Sequence, residues 1–387
     1  MAAPRAYLDY NASAPLLPSA RAAMLAAFDA SANPSSVHSE GRAARRIVED
    51  ARRDVAALVN AKPEHVVFTS GATEAATTLL TPDWQMGRSA LRMGRLYVSA
   101  ADHPCVLSGG RFGADNTVQI GVNADGIVDL DALAQALAAH DKAAGLPLVA
   151  IHAANNETGV VQPLEEIGGI VKAAGGVFVA DAVQAAGRVS IDISAGYVDY
   201  LILSSHKIGG PQGAGAYVAC SDLMMPRPLI VGGGQEKGFR AGTENLAAIA
   251  GFGAAARQAL EMLARMDEVR ALRDEVEDSI LSLAPESEIF GRRAERLANT
   301  IFFAIPGIKS ETAQIAFDLA GVALSAGSAC SSGKVGPSHV LKAMGHDRPE
   351  GALRVSIGPA TTRAEIAQFT AALSGLLARR AGKPQAA

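Results

Sequence analysis

Short apolar runs alternate with helical patterns over the first 255 residues, and this alternation limits the fold more than any other feature. Between Gly41 and Asn60, apolar residues recur every three or four positions, which indicates one buried helical face. Strands that alternate with helices predict a mostly parallel sheet covered by helices on both faces, the α/β class. The runs that predict its strands are HVVFTS, RLYVSA, LPLVAIHA, GVFVAD, YLILSS and GAYVAC.

The pattern changes after about residue 255. A long helical region comes first, and the strand-like runs NTIFFAI, VALSAG and LRVSIG follow, with a helical pattern near residues 310–319. We therefore expect a large domain over residues 16–255 and a smaller α+β domain formed by residues 1–15 and 256–387. A length of 387 residues agrees with two or three domains, and 49% hydrophobic residues are enough for a large core.

Charge, hydropathy and cysteine content argue against several classes of protein. The formal net charge of −4 argues against a nucleic-acid surface. The N-terminal run MAAPRAYLDY lacks the apolar core of a signal peptide, and no apolar run approaches the ~18 residues of a membrane span. We therefore expect a cytoplasmic protein without nucleic-acid or membrane partners. Cys105, Cys220 and Cys330 are too few for a disulfide framework or a four-ligand zinc site.

Two of the apolar runs lead to groups of opposite charge: Asp181 ends GVFVAD, and Lys207 follows YLILSS 26 residues later. The carboxyl ends of strands form the usual ligand-binding edge of an open α/β sheet, where a charge without a partner would be costly. A lysine can form a Schiff base with pyridoxal phosphate, and a carboxylate can keep the pyridine nitrogen protonated. The pair predicts a pyridoxal phosphate site, although each residue alone would also fit a capping carboxylate or a surface lysine.

Other polar residues follow the predicted strands and could contact the same cofactor. Residues 70–73 lie at a strand-to-helix turn whose N–H groups could bind a phosphate, although a simple capped helix explains them equally well. His103 could stack on a flat cofactor, or it could be structural. Asn155 could bind the phenolic oxygen of the cofactor or a substrate carboxylate, with an Asx turn as the alternative. Three more residues offer a hydroxyl or an imidazole to the phosphate: Ser204, His206 and Thr243.

Cys330 differs from the other cysteines in its surroundings. It lies in SAGSACSSGKVG, whose small residues favour conformational freedom, whereas Cys220 in AYVAC has the apolar neighbours of a structural cysteine. A travelling nucleophile needs such freedom, but a thiol with the usual pKa of about 8.5 also needs assistance from a cation or a substrate thiol. Arg354 alternates with apolar residues in LRVSIG, and its planar guanidinium suits bidentate capture of an α-carboxylate.

Ten sequence blocks resemble, in the same order, those of cysteine desulfurases, which belong to the class V aminotransferase superfamily of fold type I pyridoxal phosphate enzymes. The resemblance extends from about residue 6 to residue 375, and SAGSAC is similar to the block of the group with the longer cysteine loop, which includes the nitrogen-fixation and housekeeping iron–sulfur assembly enzymes. It implies a homodimer that converts L-cysteine to L-alanine and passes the sulfur to an acceptor or iron–sulfur scaffold protein. The blocks are YLDYNASAP, NPSSVHSEGR, FTSGATEA, DHPCV, HAANNETGVVQP, DAVQAAG, SSHKIGGPQGAGA, GGGQEKGFRAGTEN, SAGSAC and LRVSIG.

The resemblance also implies a role for each candidate residue. Lys207 resembles the Schiff-base lysine, Asp181 the partner of the pyridinium nitrogen, and His103 the ring-stacking residue of the catalytic site. Gln184 resembles the partner of the phenolic oxygen, and Cys330 resembles the catalytic cysteine that carries the persulfide and can transiently bind an iron–sulfur cluster. The implied phosphate contacts are Ala72, Thr73, Ser204, His206 and Thr243, with Thr243 supplied by the other subunit. The implied substrate-carboxylate contacts are Asn155 and Arg354.

Several alternatives stay open. A selenocysteine lyase would share the cofactor and fold, another class V aminotransferase or lyase would work without Cys330, and a sulfur-relay or scaffold subunit would keep the fold without catalysis. Residues 76–78 and 11–14 depart from the usual desulfurase blocks. We expect neither stretch to touch a residue assigned to chemistry, so altered packing and no loss of activity should follow. The sulfur could serve iron–sulfur assembly, nitrogenase maturation or thiolation, and no residue separates these fates.

Overall fold

The computed structural model describes residues 5–30, 32–327 and 338–381. None of the helices in these ranges is long and apolar enough to cross a membrane. The strands are β1 (Ala6–Tyr7), β2 (Val66–Thr69), β3 (Asp83–Met86), β4 (Ser89–Ser99), β5 (Thr117–Ile120), β6 (Leu146–His152), β7 (Val177–Asp181), β8 (Tyr200–Ser204), β9 (Gly215–Ala219), β10 (Met224–Pro226), β11 (Glu288–Ile289), β12 (Thr300–Ala304), β13 (Val322–Ala323), β14 (Ser325–Ala326) and β15 (Leu353–Ser356). The α-helices are α1 (Pro18–Asp29), α2 (Ser39–Leu58), α3 (Ala72–Leu79), α4 (Pro104–Leu107), α5 (Leu130–Ala138), α6 (Leu164–Ala173), α7 (Leu246–Met262), α8 (Met266–Leu283), α9 (Ser310–Leu319), α10 (His339–Ala343) and α11 (Arg363–Ala381).

Nine strands form one large sheet in the order β10-β3-β4-β6-β7-β8-β9-β2, with β5 paired to β4. The central strands β5, β4, β6, β7 and β8 pair in parallel. Strands β9 and β2 continue the sheet on one side in antiparallel pairs, and β3 and β10 do so on the other. All six predicted strands lie in this sheet, so the predicted α/β fold with a mostly parallel centre is confirmed.

Strand β7 shows why these runs are apolar at every position. Phe178 and Ala180 are buried in a cluster with apolar residues of α2, α5, α6 and α7. Val177 and Val179 are buried in another cluster, together with apolar residues of α3. Successive strand residues face opposite sides of a sheet, and here helices cover both sides, so neither face tolerates polar residues.

A smaller α+β part packs beside this sheet. It contains the antiparallel sheet β11-β12-β15-β14 and the parallel pair β1–β13. Phe317 of α9 and Phe369 of α11 stack in its core with ring centroids 5.3 Å apart. Strand β1 joins the C-terminal strands through its parallel pair with β13. Helix α7 runs through residue 255, and the domain bounds stay a prediction.

The carboxyl ends of the parallel strands meet at one edge of the large sheet. There β6 ends at His152 and β7 ends at Asp181, while β4 and β8 lead to His103 and Lys207. Strand β2 runs in the same direction as β8, because each pairs antiparallel with β9, and it leads to the turn at residues 70–73. The topology therefore places residues from distant parts of the chain at one edge.

Candidate active site

A cleft of about 430 Å³ opens at this edge of the sheet. Its lining includes Cys105, His152 and Asn156, which were not assigned to the site from the sequence. The fold therefore brings most of the predicted site together. The predicted residues that line the cleft are Ala72, Thr73, His103, Asp181, Gln184, Ser204, His206 and Lys207.

Lys207 lies in a single helical turn directly after β8. Its Nζ donates hydrogen bonds to the backbone oxygens of Asn11 at 2.6 Å and Ala12 at 3.0 Å. The expectation that residues 11–14 touch no residue assigned to chemistry is therefore wrong, because the Asn11 and Ala12 carbonyls bind the ammonium group of Lys207. A reaction of this amine with an aldehyde would have to exchange these contacts.

Asp181 is the last residue of β7 and is buried. Its Oδ1 accepts a hydrogen bond from the Val183 N–H at 3.0 Å. Burial raises the pKa of this carboxyl to about 6. The charge of Asp102 adds to the rise, whereas the Val183 hydrogen bond, His152 and Lys207 oppose it. A cationic pyridinium nitrogen beside Asp181 would favour the ionised carboxylate, since opposite charges at short range stabilise each other. The residue fits its predicted role.

Two histidines of the cleft are uncharged at neutral pH. Burial, followed by the charge of Lys207, lowers the pKa of His103 to about 4 and that of His206 to about 4. The His103 Nδ1 accepts the Cys105 N–H at 3.2 Å, which fixes the ring at the start of α4. A neutral ring held in this way suits stacking against a flat aromatic cofactor.

The start of α3 forms a recess of the kind that a phosphate requires. Gly71, the N-cap residue of α3, has no side chain that could accept a hydrogen bond from the N–H groups of the first turn. This first turn lines the cleft. Strand β9 lies close by, because a Cβ on Gly215 would come within 2.7 Å of the Gly71 Cα. Backbone N–H groups at the positive end of a helix bind anions. With Thr73 and Ser204 on the same lining, the residues fit the phosphate of the cofactor.

Gln184 is oriented by a residue that the sequence reasoning missed. Its Nε2 donates to the Asn11 backbone oxygen at 3.0 Å, and its Oε1 accepts from the Arg188 guanidinium at 2.5 Å. Arg188 also donates to the backbone oxygens of Gln184 at 2.8 Å and Lys207 at 3.2 Å. Burial lowers the pKa of Arg188 to about 10. These acceptors are all uncharged, so the positive charge of Arg188 favours an anionic oxygen beside Gln184, such as the phenolate of pyridoxal phosphate.

Asn155 makes local hydrogen bonds with its side-chain amide. Its Oδ1 accepts the N–H groups of Glu157 at 2.9 Å and Thr158 at 3.0 Å, and its Nδ2 donates to the Ala101 oxygen at 2.9 Å. This is the Asx-type turn that the sequence left open as an alternative. The next residue, Asn156, lines the cleft, and the predicted contact of Asn155 with the cofactor or substrate stays a prediction.

Arg354 lies in β15 and is buried. Its guanidinium donates to Asp9 Oδ1 at 2.9 Å, to Ser325 Oγ at 3.2 Å and to the Asn156 backbone oxygen at 2.8 Å. The Arg354 Nε is buried without a hydrogen-bond partner in the described part of the chain. Arg354 therefore joins the small sheet to the cleft through Asn156 and keeps one N–H group for a further acceptor, as a substrate carboxylate would be.

Comparisons with known proteins agree with this geometry. The family model described as aminotransferase class-V matches residues 6–369. The chain belongs to the class-V aminotransferase family. A cysteine desulfurase of Frankia sp. strain EuIK1 is 42% identical over 380 residues, which cover 93% of this chain and 88% of that protein. A cysteine desulfurase of Cereibacter sphaeroides is 39% identical over 374 residues, which cover 94% of this chain and 93% of that protein.

Solved structures of class-V relatives share the whole fold. The NifS-like protein of Rickettsia africae has a TM-score of 0.85 at 32% identity, with 97% of this chain and 99% of that chain covered. A structure described as SspA in complex with cysteine has a TM-score of 0.72 at 28% identity, with 92% of this chain and 99% of that chain covered. The predicted fold type I architecture is thereby confirmed, and membership of the class-V family implies dependence on pyridoxal phosphate in general terms.

The described residues that line the cleft do not include four predicted site residues: Asn155, Arg354, Thr243 and Cys330. Thr243 is exposed and lines a separate hollow of about 190 Å³ with Glu236 and Arg240. Its predicted contact with the phosphate in a partner subunit stays a prediction. Cys330 lies in the segment 328–337, outside the residues that the structure describes, and both of its predicted roles stay predictions.

Proposed function

We propose that this chain is a cysteine desulfurase that uses pyridoxal phosphate to convert L-cysteine to L-alanine and leaves the sulfur on Cys330 as a persulfide. One observation carries the proposal: Lys207, Asp181, His103 and the uncapped start of α3 line a single cleft. The chain that folds in this way is 42% identical to a cysteine desulfurase over 93% of its length.

Each residue of the cleft has its own role in the proposed reaction. Bound pyridoxal phosphate supplies an electron sink for the α-carbon of an amino acid. Lys207 Nζ holds the cofactor and, once released, moves the proton of the substrate Cα. The Asp181 carboxylate would accept a hydrogen bond from the protonated ring nitrogen, Gln184 would orient the phenolic oxygen, and His103 would stack on the ring. The phosphate is bound by the first turn of α3 with the hydroxyl and imidazole groups of Thr73, Ser204 and His206.

The substrate carboxylate is bound by Arg354 and Asn156. The Cys330 thiolate then attacks the substrate sulfur, so that the S–S bond forms as the bond between that sulfur and Cβ breaks. The electron pair of the broken bond passes to the substrate carbon, which takes up a proton to give alanine. Cys105 is a poor substitute for Cys330, because burial raises the pKa of its thiol and suppresses the thiolate.

The proposal also covers the oligomeric state, the sulfur acceptor and the location of the enzyme. The active form is a homodimer in which Thr243 reaches the phosphate bound by the partner subunit. The persulfide serves a sulfur acceptor or an iron–sulfur scaffold protein, and Cys330 can transiently bind a cluster there. The location is the cytoplasm, as expected from the sequence.

The test is alanine and sulfide release from L-cysteine in the presence of a reductant, for wild type, Cys330→Ala and the matched control Cys220→Ala. We expect all three proteins to bind pyridoxal phosphate and turn yellow, with turnover lost only in Cys330→Ala. Alanine release by Cys330→Ala at the wild-type rate would point to another class V aminotransferase or lyase. Strong activity on selenocysteine with little on cysteine would identify a selenocysteine lyase, and a wild type that stays colourless would overturn the whole proposal.

A further inference from the structure

A buried carboxylate that the proposed mechanism does not use lies behind the cleft. Asp102 has no exposed surface and follows β4 by three residues. Its Oδ2 accepts the Ser99 N–H at 2.7 Å, and its Oδ1 accepts the His152 N–H at 2.8 Å. The Nδ1 of the His152 ring is 2.6 Å from the same Oδ1. Three hydrogen bonds therefore converge on this carboxylate, and they join the ends of β4 and β6.

Gln162 determines which nitrogen of His152 carries the proton. The Gln162 Oε1 accepts the Val128 N–H at 2.9 Å, so the side-chain nitrogen of Gln162 is the atom that faces His152. That nitrogen donates to the Gly126 oxygen at 2.8 Å and lies 3.2 Å from His152 Nε2. An amide nitrogen only donates, so Nε2 of His152 accepts, and the ring proton lies on Nδ1 and is donated to Asp102. The hydrogen bonds thus place the ring proton of His152 on the nitrogen that faces Asp102.

This pair lies next to the residues that are proposed to bind the cofactor. Strands β6 and β7 place His152 in register with Asp181, and the His152 ring lines the cleft. Asp102 directly precedes His103 in the chain. The negative charge of Asp102 adds to the rise that burial causes in the pKa of Asp181, and it opposes the lowering of the pKa of His103. An anion in this position stabilises any cation held by Asp181.

We propose that Asp102 and His152 are positioning residues of the cofactor site, which fix the ends of β4 and β6 and place a second negative charge behind Asp181. That charge favours the protonated ring nitrogen on which the electron sink depends. The inference rests on the proposed function, because it requires pyridoxal phosphate in the cleft. Neither residue touches the reacting atoms in this proposal, since both act through Asp181 and His103.

The experiment is ¹⁵N NMR of the holoenzyme formed with pyridoxal phosphate that is ¹⁵N-labelled at the ring nitrogen. The proteins are wild type, Asp102→Asn, His152→Gln and the control Asp199→Asn. Asp199 is matched to Asp102, because its Oδ2 accepts the Phe178 N–H at 2.8 Å, but this lies at the opposite end of β7 from the cleft. We expect a protonated ring nitrogen in wild type and Asp199→Asn. In Asp102→Asn we expect a shift toward the unprotonated form and about tenfold weaker cofactor binding, the equivalent of one pKa unit.

The tautomer is read directly from the ¹⁵N spectrum of histidine-labelled wild type, with His152→Gln identifying the signal. A proton on Nδ1 alone supports the inference, and a proton on Nε2 overturns it even where Asp102→Asn does not fold. An unchanged ring-nitrogen signal in a folded Asp102→Asn protein also overturns it, while leaving the desulfurase proposal intact. A wild type that binds no pyridoxal phosphate removes the proposed function itself.

Discussion

Glu157 is a second buried carboxylate close to the cleft, and its surroundings suit the neutral form. Only 2% of the residue is exposed, and its Oε2 accepts a hydrogen bond from the Ser338 hydroxyl at 2.5 Å. Burial raises the pKa of Glu157 to about 7, against the opposing effects of Ser338 and Arg354. Ser338 also caps α10, because its Oγ accepts the Leu341 N–H at 3.1 Å. The protonation of Glu157 is therefore coupled to folding.

The stability of the cofactor-free protein should fall as pH rises between about 4.5 and about 7, because the folded state holds a proton on Glu157 that the unfolded state releases. The expected decrease in the free energy of unfolding is roughly 1–3 kcal/mol. Urea denaturation at several pH values measures it. Glu157→Gln should keep a hydrogen bond to Ser338 and flatten the curve between pH 6 and 7, whereas Glu261→Gln on the exposed side of α7 should not. An unchanged slope in Glu157→Gln would show that other groups cause the pH dependence.

The position of a site residue could be predicted where it depended only on the end of one strand. Asp181 and Lys207 each follow an apolar run, so their positions at the carboxyl edge of the sheet could be inferred from local sequence. The contacts between Lys207 and residues 11–12 join positions 195 and 196 apart in the chain, and no local pattern shows them. For the same reason the hydrogen bonds of Asp102 with His152, 50 residues away, were missed. Two adjacent asparagines gave no signal to separate Asn155 from Asn156.

Helix α6 contains two adjacent glycines with opposite surroundings. A Cβ on Gly168 would lie 2.1 Å from the Tyr197 backbone oxygen, whereas a Cβ on Gly169 would meet nothing within 4 Å. Gly168 lies on the buried face of the helix, and Gly169 lies on the exposed face. The close packing of α6 therefore depends on one of the two glycines.

Gly168→Ala should lower the free energy of unfolding by roughly 1–3 kcal/mol, because the added methyl group displaces α6 from its backbone contact. Gly169→Ala is the matched control and should be neutral or stabilising by up to about 1 kcal/mol, since alanine favours helices over glycine. Thermal or urea denaturation of the two variants measures both effects. Equal effects of the two substitutions would contradict the described packing of α6.

The elements that the sequence predicted are the ones buried on both faces. Strands β7, β8 and β9 agree closely with the runs GVFVAD, YLILSS and GAYVAC, because such strands are apolar throughout. Strands β3 and β10 were missed, because DWQM and MMP are only four and three residues long, too short for a periodic pattern. They are strands because β3 pairs with β4 and β10 pairs with β3 at the edge of the sheet. The antiparallel direction of β9 was equally hidden, since direction follows from the connection and not from composition.

At the scale of the whole molecule, an exposed apolar segment lies beside the loop of Thr243. Leu229, Ile230 and Val231 are 38%, 38% and 76% exposed. The Ile230 oxygen accepts the Ala241 N–H at 3.1 Å, and Ala241 precedes Thr243 by two residues. This hydrogen bond fixes the apolar segment beside the loop that carries Thr243. Contiguous exposed apolar residues mark protein interfaces. The segment supports the proposed homodimer, in which Thr243 serves the partner subunit.

Val231→Asp should shift the protein from dimer to monomer, because a charge buried in an apolar interface lacks a partner. Pyridoxal phosphate binding should weaken at the same time, since Thr243 of the partner is lost. Sedimentation velocity and a cofactor titration measure the two effects. Leu319→Asp is the control, because Leu319 is 84% exposed on α9 in the small α+β part. A Val231→Asp protein that stays dimeric with normal cofactor affinity would place the interface elsewhere.

The pairing of β1 with β13 determines when the site can be completed during synthesis. Ala6 and Tyr7 find their partners at Val322 and Ala323, and Asp9 forms a bridge with Ser356. The residues directly after this strand hold Lys207 at the cleft. Chains fold as they leave the ribosome, N-terminal parts generally first, and contacts between distant residues form slowly. Residues 6–9 therefore pair only after more than three hundred further residues have been synthesised. In a ribosome-bound chain the contacts that hold Lys207 are incomplete until β15 emerges.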